Sequence, residues 1–227
     1  AGNENVLLAV YFLMMIGFGC KAGMFPLHAW LPTAHPVAPS PASAVLSGII
    51  TKGGVIAIIR VTYYLVGPDF IRGTWAQNTL LTLAIITVFM GSMLAYKEKL
   101  LKRRLAYSTV SQVSYVLFGL FLLHPLGFLG ALMQVVFHAV AKNILFLGAG
   151  AIIYKTGKTF VYELKGLGKE MPIVMWTFAI ASLSLIGIPP TAGFVSKWYL
   201  AQGGLQPDFG TLGLVGVAVL MVSALLT

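Results

Sequence analysis

Long apolar runs recur along the chain and constrain its fold more than any other feature. Hydropathy predicts seven membrane spans, which are Val6–Phe25, Ala42–Val66, Ala76–Tyr96, Leu105–Leu123, Leu126–Tyr154, Pro172–Leu200 and Thr211–Thr227. A helix needs about 20 apolar residues to cross the hydrocarbon core of a bilayer. Charged residues make up only 9% of the chain, compared with about 25% in soluble domains. The sequence therefore predicts an all-α, polytopic transmembrane helical bundle.

The linkers between the predicted spans are short, and none can form a separate extramembrane domain. We expect residues 1–227 to be one transmembrane domain and a piece of a longer chain, in a bacterial or archaeal cell membrane. The net charge of +9 comes largely from two basic linkers, Lys97–Arg104 and Lys155–Lys169. Such clusters are usual topology signals beside membrane helices, so no nucleic-acid partner is expected.

Prolines break two of the spanning regions. Five prolines lie between Lys21 and Lys52, and each lacks a backbone donor and restricts the residue before it. Pro189 and Pro190 interrupt the sixth span in the same way. Near each break stands the pattern Gly-Phe-x-x-Lys, as GFGCK at 17–21 and as GFVSK at 193–197. Paired interrupted helices indicate an internally repeated transporter with a site near the membrane midplane.

The acids and the bases are distributed differently. All six acidic residues lie outside the apolar cores of the spans, whereas four lysines lie inside spans or at their breaks: Lys21, Lys52, Lys142 and Lys197. A charge at the bilayer centre costs about 2.5–3.5 kcal/mol on insertion scales. The lysines are either neutral part of the time, or hydrated in a channel, or paired with an acid on another helix or subunit. Each explanation favours a proton path over a scaffold.

Histidines and polar residues add to this interpretation. His138 lies four residues before Lys142, so both side chains share one helix face, and the pair predicts a proton relay. His28 and His35 flank the proline-rich turn, where loop packing and proton entry are both open. Lys21 and Lys197 could also reach the membrane surface from helix ends. The polar run at 107–115 either lines a channel or packs helices together, and we do not assign it to the site.

Hydrolytic and redox chemistry lack their motifs in this chain. It has no HExxH, GxSxG or phosphate-binding glycine loop, the patterns that zinc proteases, serine hydrolases and nucleotide-binding proteins carry. With one cysteine, Cys20, it cannot form an internal disulfide or an iron–sulfur site. We therefore expect no cofactor, metal or redox centre within this chain.

Several segments together resemble a known family. KAGMFPLHAWLPTAHPVAPSPASAVLSGIITKGG, LKRRLAYSTVSQVSY, FHAVAKNILFLGAGAI and GIPPTAGFVSKWYL are similar, in order and spacing, to the antiporter-like subunits of respiratory complex I. The same family includes Mrp-type cation/proton antiporters and the membrane arms of formate hydrogenlyase and energy-converting hydrogenases. The chain departs from the family pattern at Thr33, where many members have Asp, and at Gln112, where complex I members often have His.

The resemblance implies roles for the buried bases. Lys21 is similar to the family's lysine on the first broken helix, which pairs with a glutamate that lies upstream of this chain. Lys52 is similar to the central lysine, and His138, Lys142 and Lys197 to the relay that follows. We expect a proton-translocating membrane subunit of a complex I-like or hydrogenase-like redox complex, with other membrane subunits as partners. A sodium/proton antiporter subunit and a non-pumping structural subunit are the two alternatives.

Both basic linkers are predicted to lie on the cytoplasmic side, because two spans separate them and basic loops favour that side. Cysteines introduced at Lys99 and Lys158 should resist impermeant thiol reagents added outside intact cells, whereas a cysteine at Arg72 should react. Labelling at only one of the two linker positions would show that the predicted span count is wrong.

Overall fold

The computed structural model describes residues 3–226. Ala1, Gly2 and Thr227, which begin the predicted domain and end its last span, lie outside that part. Helices account for most of the described chain, with no β-strand beyond one isolated bridge. The main helices are α1 (Glu4–Ala22), α2 (Trp30–Val37), α3 (Ser40–Val66), α4 (Trp75–Lys97), α5 (Leu101–Phe121), α6 (Pro125–Thr156), α7 (Pro172–Ile186), α8 (Ala192–Gly204) and α9 (Gly210–Leu226). The predicted all-α membrane fold is confirmed.

Fewer helices than the seven predicted spans could cross a membrane by length and composition alone. In the described part, four do so: α1, α3, α4 and α6. The sixth predicted span is divided into α7 and α8, and α7 and α9 are shorter apolar helices. α5 has the length but carries several serines, a threonine and a glutamine, which lower its hydropathy.

The centre of the bundle is α5. Every residue from Ser108 to Leu123 is buried, so this helix contacts other helices around its whole circumference instead of lipid. It packs against α4 on one side and α6 on another. α6 has 32 residues and is therefore about 48 Å long, which exceeds the roughly 30 Å hydrocarbon core. These two helices carry eight of the nineteen buried polar or charged side chains of the described residues.

Proline and glycine set several helix ends. α6 begins at Pro125 and α7 at Pro172, positions where a missing backbone donor costs nothing. α6 and α7 are followed by Gly157 and Gly187, whose φ angles of 69° and 88° are left-handed and close the helix. The residues between Gly187 and Ala192 are the predicted break in the sixth span, and they leave the last carbonyl groups of α7 free for other donors.

The proline-rich stretch is broken as predicted. α1 ends before Gly23, whose φ is 89°, and non-helical backbone leads to α2 and then to α3. The two Gly-Phe-x-x-Lys patterns lie on opposite sides of their breaks, because Lys21 is in the last turn of α1 and Lys197 is in the second turn of α8. The two patterns therefore do not occupy equivalent positions, and the internal repeat stays a prediction.

The two basic linkers lie on the same face of the bundle. Leu101 donates its backbone N–H to the Thr159 carbonyl at 3.0 Å, and Val161 donates to the Lys99 carbonyl at 2.9 Å. This antiparallel pairing joins the linkers directly, as their predicted same-side placement requires.

Glycines allow two close helix contacts, one between α1 and the middle of α3 and one across the break between α7 and α8. A Cβ at Gly54 would lie 2.6 Å from the Phe18 carbonyl oxygen, and one at Gly193 would lie 1.8 Å from the Ser184 carbonyl oxygen. α1 therefore packs closely on α3, and α8 packs closely on α7. Small residues at such positions let helix backbones approach each other in membranes.

Gly193→Ala should destabilise the protein, because its new methyl group would meet backbone that cannot move aside. We expect a loss of about 1–3 kcal/mol or more, the usual range for overpacking, measured as a lower unfolding temperature in detergent. Gly17→Ala is the matched control, since Gly17 opens the other Gly-Phe-x-x-Lys pattern and a Cβ there meets nothing within 4 Å. Equal stability of both variants would contradict the close α7–α8 contact.

Candidate functional site: a buried line of lysine and histidine

Lys52 lies in the middle of α3, directly after the π-helical stretch Leu46–Ile50. Its side chain is only 5% exposed. The Nζ atom donates a hydrogen bond to the Ser47 carbonyl oxygen, lies 3.5 Å from the Thr51 hydroxyl, and lies 2.8 Å from Nδ1 of His138. π-Helical turns often occur at functional sites, and this one places a buried amine directly against a buried imidazole.

α6 presents one buried stripe to the rest of the bundle. Gln134, His138, Lys142 and Phe146 follow one another at four-residue spacing, and all four side chains are buried. Side chains four residues apart on a helix are about 5–6 Å apart at Cβ. Nε2 of His138 is buried and has no hydrogen-bond partner among the described residues. The predicted His138–Lys142 pair is therefore part of a longer stripe.

Lys142 is fully buried against α5. Its Nζ atom donates to the Leu105 carbonyl oxygen at 2.8 Å and to the Ser108 hydroxyl. Ser108 belongs to the polar run that the sequence analysis did not assign. An ammonium group that is removed from water needs such acceptors, so this run partners a charge as well as packing helices.

Lys197 lies at the break between α7 and α8. Its Nζ atom donates to the carbonyl oxygens of Leu185 and Ile186 at 2.5 and 2.9 Å, which are the last two residues of α7. A cation is favoured at the carbonyl end of a helix. Nζ also lies 4.9 Å from the centre of the Tyr115 ring, and the residue lines a crevice of about 310 Å³ beside α9. Lys197 is thus partly exposed at the edge of the bundle.

Lys21 lies apart from the other predicted site residues. It is exposed in the last turn of α1, and its side-chain carbons lie over Gly53 and Gly54 of α3. The described part of the chain offers it no hydrogen-bond or ion-pair partner. The structure therefore places Lys21 beside the backbone of the Lys52 helix but on the outside of the bundle.

Carboxylates pair only with arginines near the membrane surface within residues 3–226. These pairs are Arg72 with Asp69 and Arg103 with Glu98, both outside the helix cores. The buried lysines are held by backbone carbonyls, hydroxyls and one imidazole instead. This agrees with the position of the acids in the sequence, and the same described residues contain no cluster of acids, cysteines and histidines that could hold a metal ion.

Three polar side chains beside the line were not predicted as site residues, although Gln112 was noted as a departure from the family pattern. Gln112, Gln134 and Ser196 are all buried and hydrogen bonded to one another. Gln134 could have been found from its spacing, since it lies four residues before His138. Ser196 gives no such signal, because its role depends on how α8 packs against α6.

His35, whose role was left open, is fully buried at the basic end of the stripe. Its ring stacks on Phe146 with 4.5 Å between the ring centres. Neither ring nitrogen has a hydrogen-bond partner among the described residues, and the charges of Lys142 and Lys102 both act on the ring. His35 thus lies one turn of α6 beyond Lys142.

Lys52, His138 and Lys142 together form a chain of proton-binding groups within the bundle. A neutral imidazole accepts a proton at one nitrogen and donates one from the other, and a lysine does both through a single nitrogen when it changes charge state. The 2.8 Å between Nζ of Lys52 and Nδ1 of His138 is a hydrogen-bond distance. An amine hydrogen bonded to an imidazole is an arrangement that can pass protons.

Comparison with known proteins identifies the family of the chain. The chain is 40% identical to NADH-quinone oxidoreductase subunit N of Desulforudis audaxviator, over 98% of this chain and 43% of the relative. It is 42% identical to hydrogenase-4 component B of Escherichia coli, over 88% of this chain and 31% of the relative. A chain of the Mrp complex from Dietzia sp. superimposes with a TM-score of 0.83 at 31% identity, over 93% of this chain and 40% of that chain.

The chain thus spans less than half the length of the relatives it matches. The family model described as NADH:quinone oxidoreductase/Mrp antiporter, transmembrane, matches residues 1–224. This integral membrane chain therefore belongs to the NADH:quinone oxidoreductase/Mrp antiporter transmembrane family.

Proposed function

We propose that this chain is the proton-translocating part of a membrane subunit in a redox-driven complex of the complex I or hydrogenase type. The observation that carries the proposal is the direct contact between Lys52 and His138, with Lys142 one helical turn further along α6. A scaffold gains nothing from three buried bases without a buried acid, since each costs solvation free energy.

Repulsion between positive charges on neighbouring bases would favour movement of protons along this line. Two unit charges about 6 Å apart repel each other by about 3 kcal/mol at an effective dielectric constant of about 20. With no carboxylate among the described neighbours of Lys52, His138 and Lys142, the line holds fewer protons than it has bases. A proton that enters at one end therefore favours the release of another.

The resemblance to the family assigns an order to the carriers. Lys21 is the switchable lysine, Lys52 the central carrier, His138 and Lys142 the relay, and Lys197 the carrier that opens to the outside. The partly exposed position of Lys197 beside a crevice supports the last of these roles. The exposed position of Lys21 supports a partner that approaches α1 from outside this bundle.

A sodium/proton antiporter subunit is the second candidate, and the structural match to the Mrp complex favours it. Hard cations prefer oxygen ligands, above all carboxylates. The buried line instead consists of nitrogen bases, and residues 3–226 place no acid next to it. Proton transfer therefore fits the described residues better than sodium binding does.

Lys52→Ala in the full-length protein should reduce proton translocation at least tenfold while the complex still assembles, because the central carrier is lost. The measurement uses proteoliposomes that contain the protein with its co-purifying subunits and an entrapped pH indicator. The complex is energised by its own electron-transfer reaction, or by a sodium gradient if no redox subunit co-purifies. Lys99→Ala, which removes an exposed linker lysine, should translocate normally, and normal translocation by Lys52→Ala would refute the proposal.

Lys52→Arg should be as defective as Lys52→Ala, because arginine keeps its charge and does not release its proton in proteins. This variant separates a relay from a fixed positive potential, which an arginine would supply equally well. The measurement is the same translocation assay, with Lys99→Arg as the matched control. A Lys52→Arg protein that translocates at the unmodified rate would show that Lys52 does not pass protons on.

A further inference from the structure

Three buried, uncharged polar side chains form a hydrogen-bonded group beside Lys197 and one turn of α6 from His138. They are Gln112 on α5, Gln134 on α6 and Ser196 on α8, with exposures of 0%, 2% and 0%. Each comes from a different helix, so the three meet only because the helices pack together. A buried amide or hydroxyl without a partner is costly, and each of the three is hydrogen bonded.

The hydrogen bonds among these side chains run in one direction. The Ser196 hydroxyl donates to Oε1 of Gln134 at 2.5 Å, and Nε2 of Gln134 donates to Oε1 of Gln112 at 2.7 Å. Nε2 of Gln112 then donates to the Leu185 carbonyl oxygen at 3.4 Å. The Ser196 hydroxyl oxygen also lies 3.0 Å from the Gly193 carbonyl oxygen. Because a hydroxyl group has one hydrogen to donate, the chain forms when that hydrogen is directed to the shorter contact with Gln134, and hydrogen bonds in such a chain strengthen one another. We call these three side chains the amide bridge.

The amide bridge ends on the group that binds Lys197. The Leu185 carbonyl oxygen accepts from Gln112 and also from the Nζ atom of Lys197 at 2.5 Å. Ser196 directly precedes Lys197 in the same turn of α8. The bridge therefore fixes both the acceptor of the ammonium group and the helix that carries it.

The middle member of the amide bridge, Gln134, lies one helical turn from His138. Gln134 precedes His138 by four residues on the buried stripe of α6. Nδ1 of His138 faces Lys52, while its Nε2 is buried with no partner among the described residues. Nδ1 of His138 is thus hydrogen bonded to Lys52, and Nε2 is the ring nitrogen that could exchange a proton with another group.

We propose that Gln112, Gln134 and Ser196 are positioning residues that hold Lys197 in line with His138, so that protons pass between the central and outer carriers. The inference rests on the proposed proton translocation and adds three residues to it. No side chain of the amide bridge can hold a positive charge in its ordinary state. The bridge therefore orients the two carriers without being a resting place for the proton.

A matched pair of glutamine substitutions tests the role of the bridge. Gln134→Met keeps the length of the side chain and removes its hydrogen bonds, and it should lower proton translocation at least tenfold in the reconstituted full-length complex. Gln77→Met is the control, because Gln77 is also buried and makes two hydrogen bonds, to Gly73 and Phe121, away from the line. Equal effects of both substitutions on translocation would overturn the proposal.

A second pair separates hydrogen bonding from packing at Ser196. Ser196→Thr and Ser196→Val add nearly the same volume, but only threonine keeps the hydroxyl group. Threonine should retain at least half of the translocation rate, and valine should lose at least tenfold, with equal amounts of assembled complex. If the two variants translocate equally, the hydroxyl group has no positioning role.

The outcomes also distinguish this inference from the proposed function. If Lys52→Ala is inactive while Gln134→Met and Ser196→Val are fully active, proton translocation stands and the amide bridge is refuted. If Lys52→Ala is fully active, the proposed function itself fails.

Discussion

The bundle has to supply hydrogen-bond acceptors for lysines in its interior and at its edge, and among the described residues it does so without carboxylates. Within the described residues, Lys52 binds the Ser47 carbonyl, Lys142 the Leu105 carbonyl, and Lys197 the Leu185 and Ile186 carbonyls. Two of these lysines donate to carbonyl groups of irregular backbone. Lys52 binds a carbonyl of the π-helical turn in α3, and Lys197 binds the last carbonyls of α7. Irregular backbone is tolerated at membrane depth only where it is buried in protein or lines a polar cavity. The irregular backbone therefore supplies carbonyl groups that are not used within a helix, and the lysine ammonium groups donate hydrogen bonds to them.

α6 contacts several neighbouring helices through its buried stripe, because the stripe turns around the helix axis as it runs along the helix. Four residues turn an α-helix by about 400°, so each step of the stripe rotates by about 40°. From Gln134 to Phe146 the stripe turns by about 120°, and its side chains meet different neighbours in order. Gln134 meets α5 and α8, His138 meets α3, Lys142 meets the first turns of α5, and Phe146 meets α2. One helix can thus join carriers that lie on separate elements.

The sequence predicted the helical class, the proline breaks, the same-side linkers and the buried bases, because each leaves a local signal such as hydropathy, proline or charge. It placed His138 next to Lys142 by helical spacing, but not against Lys52, which is 86 residues away in the chain. Only packing of α3 on α6 creates that contact. The exposed position of Lys21 and the roles of Gln112 and Ser196 also depend on packing. Fewer helices than the seven predicted spans meet the length and hydropathy of a membrane helix, in part because α5 is buried in protein and can carry polar side chains without exposing them to lipid.

The glutamine at position 112 affects where a proton could reside in the proposed relay between His138 and Lys197. A histidine at position 112 could hold a proton there, whereas the amide of Gln112 cannot. No side chain of the amide bridge gives a proton a titratable stopping point. In the proposed relay, a charge on His138 then acts on Lys197 without a charged side chain of the bridge to screen it, and the bridge sets the geometry of that response.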